Sequence, residues 1–222
     1  MAQFLSILEH PVPAKGLNKQ AFPLEKRLQQ HFFPDEYRNF SLLEKLSPLT
    51  ITVAIPVAIP RLFYPGCGAD ILSPLIYVEK LFPQTQQWEF LFVDIEDTFG
   101  LIKTILDDVG IPFEENSEED LPQLQFYWKK TLICLHFRQQ NISTLSQPEF
   151  HLYFERAFAI FKSQIPHYDQ KVVHALPPGG IIISDSGFQN CNLDRIPAPS
   201  QLSSYGEMVI ARKPTATNLS NS

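Results

Sequence analysis

Apolar and polar positions along this chain alternate between two periods. Near-continuous apolar runs at 62–64, 88–93, 150–154 and 181–183 read as strands buried on both faces of a mainly parallel sheet. Between them, apolar residues recur three and four apart. Leu75, Ile76, Val78, Leu81 and Phe82 follow the first run, and Leu101, Ile102, Ile105, Leu106 and Val109 follow the second. Both sets read as helices with one apolar face, the second stopped by Gly110. Residues 125–128 and 131–137, joined by Lys129-Lys130, read as a hairpin, either part of the third strand or an insertion at a sheet edge. Residues 111–113 are too short to assign as a strand. Residues 23–46 carry a helical pattern divided by Pro34, and residues 205–213 read as a last, antiparallel strand. Strands alternating with helices predict an α/β three-layer domain.

The turn between the first strand and its helix carries the candidate chemistry. Tyr64-Pro65-Gly66-Cys67-Gly68-Ala69-Asp70 leads into Ser73 and Pro74, which read as the N-cap and first residue of the helix. Gly66 and Gly68 permit backbone angles closed to other residues and let a ligand approach the main chain. Strand, glycine turn and helix together set a polar ligand at a helix N-terminus and at the carboxyl edge of a parallel sheet. The second apolar run ends in Asp94, 26 positions past Gly68, where a carboxylate can accept two ribose hydroxyls. The alternative for Asp94 is a loop or capping acid, with Glu96 and Asp97 nearby.

At these residues the chain resembles the class I S-adenosylmethionine-dependent methyltransferases, a Rossmann-like superfamily. Tyr64 to Asp70 match its first motif with two of three glycines, Tyr64 standing for the leading acid and Asp70 for the third glycine. A second match is Leu176-Pro177-Pro178-Gly179-Gly180 before the strand 181–183, with Asp185 at that strand's end. The resemblance covers roughly 61–213. It implies a domain there, an N-terminal helical extension or cap over 1–60 and a polar tail over 214–222. It implies S-adenosylmethionine as cofactor, held by Tyr64, Gly66, Cys67, Gly68, Asp70 and Asp94, with the ribose on Asp94 and the methionine part over residues 66–68. Asp70 itself suits a structural role, capping the helix. An acid among Glu118, Glu119 and Asp120 would lie by the adenine, unless 114–120 is simply a solvated acidic loop. Glu155 and Arg156 after the fourth strand are either site residues or the first turn of a helix; they do not form the Asn-Pro-Pro-Tyr tetrapeptide of nucleic-acid amino-methylating enzymes. Only about twenty residues separate Asp185 from Tyr205, so a reduced C-terminal half is expected.

Composition narrows the partners. With 19% charged residues, a net charge of −6 and pI near 5.5, the chain carries no basic run suited to a large nucleic-acid footprint. A small RNA or a protein stays open as substrate, and the resemblance implies a small molecule or a protein as methyl acceptor. Three scattered cysteines fit a reduced cytoplasm rather than a disulfide framework, and Cys134 with His136 is too little for a metal site. The apolar stretch 51–60 is ten residues long with two prolines, too short to span a membrane. Two functions follow: a methyltransferase, or a divergent non-catalytic module keeping the fold for binding. A nicotinamide-dependent oxidoreductase is weaker, because Ile71 stands where a dinucleotide fingerprint needs glycine or alanine.

Overall fold

In a computed structural model, which describes residues 16–53, 59–116, 121–144, 148–203 and 206–215, the four apolar runs lie side by side in one sheet. Its strands are β1 (Arg61–Pro65), β2 (Gln87–Asp94), β3 (Phe113–Asn116), β4 (Gln123–Trp128), β5 (Thr131–Gln139), β6 (Leu152–Glu155), β7 (Ile181–Ser184), β8 (Asp194–Ile196) and β9 (Val209–Arg212). The helices are α1 (Glu25–Gln30), α2 (Pro34–Asn39), α3 (Leu72–Leu81), α4 (Phe99–Asp108), α5 (Ala159–Lys162) and α6 (Tyr168–Ala175). The sheet runs β3-β4-β5-β2-β1-β6-β7-β9-β8. Its middle five strands are parallel. The final strand β9 is antiparallel to β7, and the hairpin β4–β5 is antiparallel.

This order makes the fold a Rossmann-like α/β layering with a switch point between β1 and β6. The chain moves from β1 to β2 and β5 in one direction, then returns to β6 and β7 on the other side of β1. Such a reversal opens a crevice at the carboxyl ends of the two strands flanking it. Register sets those ends level: Pro65 pairs with Val93, Asp94 with Gln139 and Glu155 with Ser184.

Side-chain alternation divides the core in two. Leu62, Tyr64, Phe90 and Phe92 face α3, α4 and the N-terminal segment, where Leu28, Phe40, Leu43 and Leu49 join the same cluster. Phe63, Leu91, Val93 and Tyr153 face the other way, onto Phe150, Phe158 and α6. That second face is thinner. Between β7 and β9 the described residues hold only β8 and a 3-10 turn, in keeping with the short C-terminal half expected from the sequence.

Several boundaries differ from expectation. Helix α3 begins at Leu72, so Ser73 and Pro74 are its second and third residues, not its N-cap and first. Residues 113–116 are paired after all: β3 adds an edge strand whose Glu114, Glu115 and Asn116 are exposed. Charges on an edge strand discourage further pairing. Glu155 ends β6 and the helix starts only at Ala159, so Glu155 and Arg156 are not a helical first turn. The strand β8 had no sequence signal, being three residues long with a partly exposed pattern. Residues 118–120 and Tyr205 lie outside the described residues, as does most of the tail.

Candidate functional site

The turn after β1 is cinched by backbone and side chains together. Gly66 N–H donates to the carbonyl of Val93 at 2.8 Å, and Asp70 N–H to that of Cys67 at 3.0 Å. Gly66 and Gly68 both have positive φ, +61° and +52°, a region that L side chains avoid. The Thr98 hydroxyl donates to the Gly68 carbonyl at 2.5 Å, fastening the turn to the start of α4.

Asp94 stands beside it, half-buried. Its Oδ2 accepts Gly68 N–H at 2.7 Å and its Oδ1 accepts Glu96 N–H at 3.0 Å. A carboxylate has about four lone-pair sites, so each oxygen keeps one for a ligand. Asp70 is arranged differently. Its Oδ1 accepts Ser73 N–H at 3.0 Å, which satisfies an orphan donor in the first turn of α3. Its Oδ2 accepts the Tyr64 hydroxyl at 3.0 Å. Tyr64 is buried, with its ring edge-on to Phe92 and Phe154. Burial, then Asp70, pushes its phenol well above the ordinary value. Cys67 is buried beneath the turn, and burial, then the charges of Asp94 and Asp70, pushes its thiol up, so it is a poor nucleophile. Of the six candidate binding residues, Gly66, Gly68, Asp70 and Asp94 thus meet at the carboxyl edge, while Tyr64 and Cys67 support it from below.

The two glycines differ in what they face. A Cβ on Gly68 would meet nothing within 4 Å. A Cβ on Gly66 would fall 2.2 Å from the Phe158 ring. The ring therefore stands in the space that a side chain at position 66 would take.

Across the switch point the edge is buried and charged. Arg156 donates to the hydroxyl of Ser73 and to Glu36, and it lies over the Phe40 ring. Burial pulls its pKa down, but Asp70 and Glu36 outweigh this and hold it above the ordinary value. Asp185 accepts Ala157 N–H at 2.9 Å, and burial holds its carboxyl above the usual range. Glu155 is fully buried with Lys162, Ser184 and the Tyr153 hydroxyl around it. Burial raises it, against the opposing charge of Lys162. Thr98, Phe158, Lys162 and the Arg156–Glu36 pair gave no signal in the sequence that tied them to the turn. Cys134 Sγ and His136 Nε2 are 3.5 Å apart on β5, and the described residues contain no group of three or more metal-ligating side chains.

No protein-family model matches the chain, and no curated protein matches it. Among solved structures it is similar to an O-methyltransferase family 2 protein from Planctomyces limnophilus in complex with apigenin, at 11% identity and TM-score 0.42, over 87% of this chain and 56% of that one. It is also similar to an S-adenosylmethionine-dependent methyltransferase from Geobacter sulfurreducens in complex with S-adenosylhomocysteine, at 11% identity and TM-score 0.39, over 72% and 53%. The YcgJ protein from Bacillus subtilis is similar at 16% identity and TM-score 0.39, over 67% and 50%. The chain thus spans about half the length of each.

Proposed function

We propose that this protein is an S-adenosylmethionine-dependent methyltransferase acting on a small molecule or a protein. The observation that carries the reading is Asp94, a half-buried carboxylate fixed at the Gly68 N–H at the switch point, with lone pairs left for a ribose diol. The nucleoside end of the cofactor fits these residues: Gly68 has open space beside it and Asp94 supplies two acceptors. Gly66 would receive the amino-acid end, provided that the Phe158 ring moves off it. When bound, the cofactor supplies an activated methyl group on a sulfonium. The residues of the chain contribute positioning: Thr98 and Asp94 hold the turn in shape, Asp70 anchors the helix behind it, and the half-buried Arg156 offsets the charge of Asp70.

A thermal-shift series tests this. S-adenosylhomocysteine should raise Tm in proportion to the logarithm of its concentration, and NAD should not. A Tm that moves with NAD alone would replace the reading with an oxidoreductase one. One observation favours a second reading, a binding or interaction module without catalysis: the Phe158 ring crowds Gly66, where the methyltransferase reading of the site would seat the cofactor's methionine part. A Tm unmoved by either ligand would favour it.

A further inference from the structure

The segment after β6 has a specific construction. Arg156 is pinned by Glu36 and Ser73. Ala157 follows at φ +55°, a left-handed conformation in a residue that is neither glycine, asparagine nor aspartate. It is held there by its N–H, which the Asp185 carboxylate accepts from the end of the neighbouring strand. Phe158 comes next, 4% exposed, with its ring on Gly66. The ring is stacked on Phe161 at 6.0 Å and edge-on to Tyr168 at 5.8 Å. The helix that follows, α5, is a single turn, yet it leaves Ile160 65% and Phe161 62% exposed. A strained backbone position, an aromatic ring delivered by it and a short helix with its apolar side chains in water thus follow one another directly after β6.

We propose that Phe158 decides which ligands this site admits: with its ring on Gly66 the site takes a bare nucleoside at Asp94, and the ring must leave before a ligand bearing an amino-acid arm can seat. The inference rests on the nucleoside-site reading above. The geometry separates the two ends of the ligand. A Cβ on Gly68 would meet nothing within 4 Å, whereas one on Gly66 would fall 2.2 Å from the ring, so the ring crowds Gly66 and leaves the side of Gly68 beside Asp94 open. If the open form is the minor one, the apparent affinity for the longer ligand is reduced by the fraction open, while that for the nucleoside is not.

Calorimetric titration of the full chain with adenosine and with S-adenosylhomocysteine reads this difference directly. Phe158→Ala should bind S-adenosylhomocysteine at least about tenfold more tightly than wild type, and adenosine within about twofold of it. Phe158→Leu keeps an apolar side chain and most of the buried volume should the alanine variant fail to fold. It shortens the ring's reach and should shift affinity in the same direction by less. Equal tightening of both ligands, or of neither, overturns the proposal while leaving Asp94-dependent adenosine binding intact. Absence of binding by either ligand in wild type and both variants overturns the nucleoside-site reading itself, and the proposal with it.

Discussion

On the β1–β2 side of the switch point, Asp70 and Asp94 are half-buried and accept backbone N–H groups. On the β6–β7 side, Glu155 and Asp185 are buried, and burial raises both. Asp94 and Glu155, one from each side of this sheet edge, thus do two kinds of work. A backbone amide uses one lone pair per oxygen and leaves the group facing solvent, which suits exchange with a ligand. A buried carboxylate held by Lys162, two serines and a tyrosine is already saturated, and it fixes the ends of β6 and β7. The difference separates a half-buried carboxylate with acceptor capacity to spare from a buried one built into the frame.

The comparison can be broken most severely at Lys162. Lys162→Ala leaves Glu155 buried without its cation, and should cost about 3–5 kcal/mol in denaturant unfolding. Pairing it with Glu155→Gln should recover much of that loss. If Lys162→Ala is neutral, the frame is not a frame. Gly66→Ala comes next. It places a Cβ into the Phe158 ring and at a positive φ, so a loss of about 1–3 kcal/mol is expected. In a Phe158→Ala background the steric part should vanish and only the backbone part remain, which a double-mutant cycle resolves. Asp70→Gly should cost about 1–2 kcal/mol, through the lost cap at Ser73 and the orphaned Tyr64 hydroxyl. In equilibrium unfolding an unchanged midpoint would contradict both bonds.

The smallest effect distinguishes the two sides by pH. Because burial raises Asp185, its folded state holds a proton that the unfolded chain has already released. The resulting stability is fully present below the ordinary carboxylate range and is lost as pH rises through the raised value. Asp185→Asn keeps an acceptor for Ala157 N–H but cannot ionise. Its Tm should exceed that of wild type increasingly as pH rises above the ordinary range, by on the order of 2–4 °C. A constant gap between the two melting curves from pH 4 to 8 would refute the sign.

The layered fold was legible because its parallel strands are apolar on both faces: the runs at 62–64, 88–93 and 181–183 all lie in the central sheet. The short edge strands β3 and β8 were not, since half-exposed pairs of three or four residues carry no period of their own. At the site, the turn and Asp94 were visible because strand ends and glycines punctuate the chain. The Asp70 bond to Ser73 N–H is local and follows from helix-start chemistry. Phe158 against Gly66 joins residues 92 positions apart in sequence, and Lys162 owes its partners to the meeting of β6 and β7. Such contacts exist only once the sheet order is fixed.

The most direct test of the central claim is calorimetric titration of S-adenosylhomocysteine into wild type and Asp94→Ala, with cooperative melting checked for both. The account predicts measurable, weak binding by wild type and none by Asp94→Ala, with the variant still folded. Equal binding by the two proteins would contradict it, since the ligand would then sit elsewhere than beside Gly68.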